Sequence, residues 1–383
     1  MSVTDPVGFR AAGVVAGLKS TGDPDVALVV NDGPVRAAAG VVTRNRVRAA
    51  PVLWTEQVLK GGTLAAVVLN SGGANACTGP AGFQDTHASA ELVAELLGVG
   101  AGEVAVCSTG LIGERLPMDR LLPGIRAAAQ SLDVGGGPDA ARAIMTTDTV
   151  PKAVTVRGAG FTVGGMAKGA GMLAPGLATM LVVLTTDAVA GAEVLDGVVH
   201  RASAVTFDRV DSDGCMSTND TVLLMASGAS GVQPSATQLE AAVTDACARL
   251  ARALVADAEG ASKEVEVRVF GAADESDAVD VGRAVARSNL LKCALHGEDP
   301  NWGRVLAAVG TTDATFEPDD LAVAVNGVWV CRDGAAGEDR SLVDLSGREV
   351  VIEVDLGAGD ATASVWTNDL TAAYVHENSA YST

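Results

Sequence analysis

The segment from Gly164 to Leu181, GGMAKGAGMLAPGLATML, carries residue types that suit chemistry at a backbone-lined site. Gly164, Gly165, Gly169 and Gly171 surround a single lysine, Lys168, and Pro175 and Gly176 then lead into an apolar run that contains Thr179. Glycines let a backbone turn sharply or approach a ligand closely. A lysine among them can meet a carboxylate or lower the pKa of a neighbouring amine. The same residues also read as a glycine-rich loop with one solvated lysine and a β-branched threonine packed in a strand. A phosphate loop is excluded, because Lys168 is followed by Gly169 and not by Ser or Thr.

Other clusters invite weaker readings. Asp208, Asp211 and Asp213 suggest a metal site, but no histidine or patterned glutamate completes it, so a structural role in turns or caps is expected. His296, Asp299 and Arg304 in HGEDPNWGR suggest acid–base work, with structural support as the preferred alternative. Ser108-Thr109-Gly110 reads as a turn closing a strand. Glu259 before Gly260 reads as a helix-end acid followed by a C-cap glycine. The six cysteines include no CxxC pair, which points to scattered buried thiols rather than zinc or redox chemistry.

The elements that must position these residues alternate between strand-like and helix-like. Leu64–Leu69 is a buried strand ending in NSGGAN, and Val104–Cys107 is a second one ending in Ser-Thr-Gly. Ala88–Leu97 looks helical, and Pro117 opens a helix that runs through Ala129. Lys152–Arg157 and Phe161–Met166 form a hairpin across Gly158-Ala159-Gly160. Leu177–Leu184 is a central strand and Thr221–Ala226 another. Apolar residues at helical spacing predict a long amphipathic helix over Gln238–Asp257. Glu264–Val269, Ala322–Val330 and Val350–Val354 are strands, and Ala361–Trp366 is expected to pair with the last of these across Gly357-Ala358-Gly359. This mixture predicts a layered α/β or α+β fold, not a pure parallel sheet. No repeat, linker or composition shift marks a domain boundary.

Composition narrows the function. Hydrophobic residues make up 48% of the 383 and charged residues 19%, which is globular. Aromatics are only 3%, so Ala, Val and Leu must fill the core. The net charge of −20 repels phosphate backbones and anionic lipid, which argues against nucleic-acid and membrane partners and favours small cationic or zwitterionic substrates. No basic segment followed by an apolar stretch opens the chain, and no run approaches the roughly 18–20 apolar residues of a membrane span. A cytoplasmic protein is expected.

KGAGMLAPGLATML resembles the self-processing segment of the ornithine acetyltransferase (glutamate N-acetyltransferase) family of arginine biosynthesis. The resemblance covers almost the whole chain. It includes Asn70-Ser-Gly-Gly-Ala-Asn-Ala-Cys-Thr-Gly79, Ser108-Thr-Gly-Leu-Ile-Gly113, Met145-Thr-Thr-Asp-Thr149 and Ser217-Thr-Asn-Asp-Thr221. It continues through Asp257-Ala-Glu-Gly260, His296–Arg304 and Asn378-Ser-Ala-Tyr-Ser-Thr383.

The resemblance implies self-cleavage between Ala178 and Thr179, giving an α chain of 1–178 and a β chain of 179–383 that form one catalytic unit. It implies Thr179 as nucleophile, Thr109 and Gly110 as oxyanion donors, and substrate contacts from Thr146, Lys168, Thr179, Glu259, Asn378 and Thr383. Thr147 stays open beside Thr146. The chemistry suits these residues: a hydroxyl attacks the preceding carbonyl, the acyl group shifts from N to O, and water hydrolyses the ester. The freed amine, with a pKa of roughly 8, can then serve its own hydroxyl as base.

The implied reaction moves acetyl from N-acetyl-L-ornithine to L-glutamate, releasing ornithine and N-acetylglutamate. No cofactor or metal is required, and some members also take acetyl from acetyl-CoA. The implied fold is an αββα-type sandwich resembling N-terminal-nucleophile hydrolases with different connectivity, assembled as an α2β2 heterotetramer. A self-processing aminopeptidase or amidase, and a non-enzymatic amino-acid-binding protein, are the rival readings.

Overall fold

The structure is a computed structural model that describes residues 1–174 and 180–380. It forms two compact units, one of Met1–Asp208 with Cys215–Leu254 and one of Arg209–Gly214 with the residues from Val255 onward. This division went unmarked in composition because its main junction lies inside a single helix.

The first unit runs β1 (Phe9–Val14), β2 (Val26–Asn31), β3 (Ala37–Val42), α1 (Ala50–Leu59), β4 (Ala66–Asn70), α2 (Gly79–Leu97), β5 (Val104–Ser108), α3 (Met118–Gln130), α4 (Gly137–Ala143), β6 (Lys152–Arg157), β7 (Thr162–Lys168), β8 (Leu181–Thr186), α5 (Ala192–Val205), β9 (Thr221–Ala226) and α6 (Ala236–Ala256). Its strands make two sheets, ordered β1-β2-β4-β5 and β3-β9-β8-β7-β6. The apolar runs of β2, β4 and β5 are continuous because both faces are buried, and their two-residue period deals side chains alternately to two cores. Val29, Val67, Leu69 and Ala105 meet Met166, Leu181, Val183 and Leu223 of the other sheet. Leu28, Val30, Val68 and Val106 instead meet Val93, Leu121 and Ile125 on α2 and α3. On the far side of the second sheet, α5 lies against β3 and β9, and Leu250 of α6 lies by Gly165. This is the expected αββα layering, and it belongs to the first unit.

Parallel pairs β4–β5 and β8–β9 are each joined through a helix, as parallel strands require. The registers pair Asn70 with Ser108, Lys168 with Leu181, and Leu181 with Thr221. The motif residues therefore sit at strand ends.

The second unit runs β10 (Glu264–Ala272), α7 (Glu275–Ala286), α8 (Asn289–His296), α9 (Trp302–Val309), β11 (Ala322–Val325), β12 (Val328–Arg332), β13 (Ala335–Ala336), β14 (Glu349–Asp355), β15 (Ala361–Asn368) and α10 (Ala372–Ala380). One sheet, β13-β12-β11-β14-β10-β15, packs Val267, Val323, Ile352 and Val354 against Val281, Val285 and Leu295 of the helices.

Several expectations are corrected. The strand expected at Leu177–Leu184 is β8, Leu181–Thr186; residues 177–179 lie outside the described residues. The helix expected from Ala88 begins at Gly79, with Pro80 tolerated in the first turn, where its missing N–H costs nothing. Ala322–Val330 is two antiparallel strands joined at Asn326-Gly327, whose φ values of 48° and 81° are those of a tight hairpin turn. Ala361–Trp366 pairs with β10, not with Val350–Val354. The loop between them bonds back to β10, from the Ala358 and Gly359 N–H groups to the Gly271 carbonyl, so β15 emerges on the far side of that strand. Cys77, Cys215 and Cys293 are exposed and only Cys107, Cys247 and Cys331 are buried. Among the described residues no helix is long and apolar enough to cross a membrane.

Candidate active site

In the first unit the Ser-Thr-Gly turn rests on the glycines that follow β4. The Thr109 N–H donates to the Asn70 carbonyl at 3.0 Å, and Asn70 Nδ2 donates to Ser108 Oγ at 2.6 Å. Gly110 takes a φ of +130°, and a Cβ there would stand 2.8 Å from the Gly73 nitrogen. Only glycine fits that backbone and that approach. Asn219, just before β9, bolts the turn to the second sheet: its Nδ2 donates to the carbonyls of Ala74 at 2.6 Å and Ser108 at 2.8 Å. The motif at 217–221 marked this region, but nothing in its spacing singled out Asn219.

Lys168 ends β7 with its side chain buried, and its Nζ donates to Thr109 Oγ1 at 3.2 Å. The alternative reading of Lys168 as a solvated loop residue therefore does not hold. Beside it lies Asp148, which sequence reasoning passed over although it stands inside the 145–149 motif. Asp148 Oδ1 accepts from Lys152 Nζ at 2.6 Å and from the Gly169 N–H at 2.7 Å, and Oδ2 accepts from the Thr146 N–H at 3.0 Å. Burial alone would raise the Asp148 carboxyl; the charges of Lys168 and Lys152 with these hydrogen bonds outweigh it and hold it below its ordinary value. Thr146 is thus anchored by its backbone, and both Thr146 and Thr147 remain half-buried.

The sign of the pH dependence follows. A carboxyl held below its unfolded value of 3.8 contributes stability that is present above that pH and lost as pH falls through the lower folded value. Asp148→Asn leaves two buried lysines short of a counter-charge and is expected to cost about 3–5 kcal/mol near pH 7. Urea midpoints measured from pH 7 downward should show the gap from wild type closing below about pH 4. A gap that stays constant with pH would show that the Asp148 charge is not the source.

Asp220 completes the group. It is fully buried at the mouth of β9, where Oδ1 accepts the Met180 N–H at 3.0 Å while the Thr221 N–H donates to the Met180 carbonyl at 3.2 Å. Burial pushes its carboxyl well above the ordinary range; the Met180 N–H, the Ser217 hydroxyl and the Lys168 charge oppose that shift, and Asp208 adds to it. Thr179 and Ala178 lie outside the described residues.

In the second unit Glu259 and Asn378 come together, with Asn378 Nδ2 donating to Glu259 Oε2 at 2.9 Å. Gly260 is not a helix cap, since α6 stops at Ala256. Its φ of +61° and lack of a Cβ, which would stand 2.2 Å from the Tyr374 nitrogen, let α10 seat against the loop. His296 meets buried Asp369 through Nδ1 at 3.1 Å, and Asp369 Oδ1 accepts the N–H groups of Ser262 and Lys263, each at 2.9 Å. That contact braces the segment after Glu259, which is the structural support expected of His296. Asn378 lies in α10, whereas Thr383 falls outside the described residues.

Two carboxylates of the acidic cluster are engaged in ion pairs. Within the first unit Asp208 pairs with Arg44 at 3.3 Å, and within the second Asp211 pairs with Arg287 at 2.6 Å. Among the described residues no group of three or more His, Cys, Asp or Glu side chains is arranged to hold a metal.

The sequence pattern of the ArgJ family matches residues 10–383. An arginine biosynthesis bifunctional protein ArgJ from Streptomyces coelicolor is 69% identical over 382 residues, covering 100% of both chains. One from Thermobifida fusca is 62% identical over 383 residues, again covering 100% of both. Among solved structures, the arginine biosynthesis bifunctional protein ArgJ of Bacillus halodurans is 32% identical and has a TM-score of 0.50, with 51% of this chain matching 97% of that one. Ornithine acetyltransferase from Mycobacterium tuberculosis, complexed with ornithine, is 60% identical and has a TM-score of 0.44, with 47% of this chain matching 96% of that one.

Proposed function

Since the chain belongs to the ArgJ family, we propose that it is a self-cleaving acetyltransferase of arginine biosynthesis that moves acetyl from N-acetyl-L-ornithine to L-glutamate through acetyl-Thr179. Cleavage between Ala178 and Thr179 yields chains 1–178 and 179–383. A half-length chain is what such a cut produces, and the Bacillus halodurans chain, 97% of which matches 51% of this one, is of about that length.

The observation that carries the proposal is the buried Lys168–Thr109 contact at 3.2 Å. By accepting from Lys168, the Thr109 hydroxyl keeps its own proton for donation, and the adjacent cation strengthens it as a donor. A tetrahedral oxyanion forming beside it would take that O–H together with the Gly110 N–H. The Thr179 hydroxyl attacks the acetyl carbonyl while the α-amine of Thr179 takes the hydroxyl proton. Collapse breaks the C–N bond, and ornithine leaves with that proton. The glutamate amine then attacks the ester by the same steps in reverse, giving N-acetylglutamate.

Substrate contacts are assigned to Thr146, Lys168, Thr179, Glu259, Asn378 and Thr383, with Glu259 suited to a substrate ammonium and Lys168 to a carboxylate. No step calls for a metal or cofactor. Acetyl-CoA is proposed as an alternative acetyl donor to glutamate, as the family resemblance implies. The assembly proposed is a cytoplasmic α2β2 heterotetramer.

Ornithine release from N-acetylornithine, followed with and without glutamate, tests the reading. One enzyme equivalent is expected without glutamate and continuous turnover with it. Continuous release without glutamate would make the protein a hydrolase instead.

A further inference from the structure

Asp25, which precedes β2, is fully buried, and its carboxylate gathers the loop that follows β1. The Ala16 and Leu18 N–H groups donate to it at 2.6 Å and 2.5 Å, and the Lys19 N–H at 3.1 Å. Gly17, with a φ of +82°, makes the turn between them. The loop leans on the glycines after β4, since a Cβ on Gly72 would stand 2.2 Å from Leu18 Cβ. Seated in this way, Lys19 is half-buried, and its Nζ donates to the Pro24 carbonyl at 2.9 Å and to the Met145 carbonyl at 2.7 Å. The Met145 carbonyl and the Thr146 N–H belong to one planar peptide unit. Its oxygen is held by the Lys19 ammonium and its N–H by Asp148 Oδ2 at 3.0 Å. Turning that unit over would set its oxygen against a carboxylate and its N–H against an ammonium.

We propose that Lys19 is a positioning residue for substrate binding: it fixes the Met145–Thr146 peptide and so aims the Thr146 side chain at the substrate. The inference rests on the assignment of Thr146 as a substrate contact and deepens it. With both polar ends of a planar unit held, ψ of Met145 and φ of Thr146 are fixed, and with them the direction of the Thr146 Cα–Cβ bond. The clamp uses only the backbone of Thr146 and leaves its half-buried side chain outside it. Asp148 acts on both sides of this arrangement. It accepts the Thr146 N–H directly, and its charge reaches Lys19: burial lowers the Lys19 ammonium from its ordinary value, while Asp25, Asp23 and Asp148 oppose that shift. The two ends of the clamp come from far apart in the chain, Lys19 and Met145 being separated by 126 positions. The loop after β1 therefore contributes to a site whose motif lies between α4 and β6.

Lys19→Met keeps the unbranched stem and removes the donor. At saturating glutamate its KM for N-acetylornithine should rise about 3- to 10-fold while kcat changes by less than about twofold, the mark of lost uniform binding. Thr146→Val removes the hydroxyl and should raise the same KM by about as much. In the Thr146→Val background Lys19→Met should add less than about twofold, because the group it aims is gone. An equal rise with and without the Thr146 hydroxyl would overturn the proposal, since a lysine that only supports the fold would act alike in both backgrounds. A Lys19→Met enzyme with wild-type KM would overturn it as well. If Lys19→Met fails to fold, Lys19→Gln, which shortens the reach and removes the charge, goes through the same cycle with the same expectation. Failure of the underlying reading looks different: wild type would transfer no acetyl, or Thr146→Val alone would leave KM unchanged, and either result overturns the proposal with it.

Discussion

Thr179→Ala is expected to leave one chain of 383 residues that transfers no acetyl group, with kcat lower by about 10⁶-fold. The substitution removes a single hydroxyl, and with it both the attack that cuts the chain and the oxygen that carries the acetyl. It leaves untouched the two backbone bonds that pin residue 180, the Met180 N–H to Asp220 and the Met180 carbonyl from Thr221. The variant should therefore fold, and its inactivity should be chemical in origin. Thr179→Ser keeps a hydroxyl and should cut and transfer. Denaturing gels and the exchange assay check both variants, and a Thr179→Ala chain cut at the normal rate would show that another group is the nucleophile.

Lys168→Met is the second large effect. The lysine's long stem is replaced by an unbranched side chain of similar shape, so most of the change is the loss of charge. Thr109 loses the donor at 3.2 Å, and Asp148 and Asp220 lose a shared cation. Loss of an oxyanion-stabilising group at such sites lowers kcat by about 10²–10³-fold. Breaking a buried charge pair costs about 3–5 kcal/mol, tempered here because Asp148 still holds Lys152 at 2.6 Å. Arginine should not restore activity, because a planar guanidinium cannot take the place of a compact ammonium that is almost wholly enclosed. Urea midpoints and kcat/KM together separate the two losses. A variant that is destabilised yet fully active would limit Lys168 to structure.

The strands and turns that build this site were legible where the signals are local. Apolar runs bounded by glycine marked β4, β5 and the β6–β7 hairpin, and helical spacing marked α6. The pairing of Ala361–Trp366 was not, because two neighbouring runs across Gly-Ala-Gly look like a hairpin until β10, far earlier in the chain, supplies the better edge. Thr109, Gly110 and Lys168 came from motif resemblance, and the structure gives them their geometry. Asp148 and Asp220 stayed hidden for a physical reason. A lone aspartate looks like a turn residue or a solvated one, and the value of these two lies in a cation distant in sequence from both, Lys168. Charge and composition argued against nucleic acid and lipid as partners, but nothing in them marks a unit boundary that falls within a helix.

The central claim is that Thr179 becomes a new N-terminus that carries acetyl. Denaturing intact-mass analysis of active wild-type protein, alone and after brief exposure to N-acetylornithine, tests it most directly. Two chains, 1–178 and 179–383, are expected, with the second gaining one acetyl group that disappears when glutamate is added. A single full-length chain in fully active enzyme, or two chains of which neither takes up acetyl, would contradict the claim.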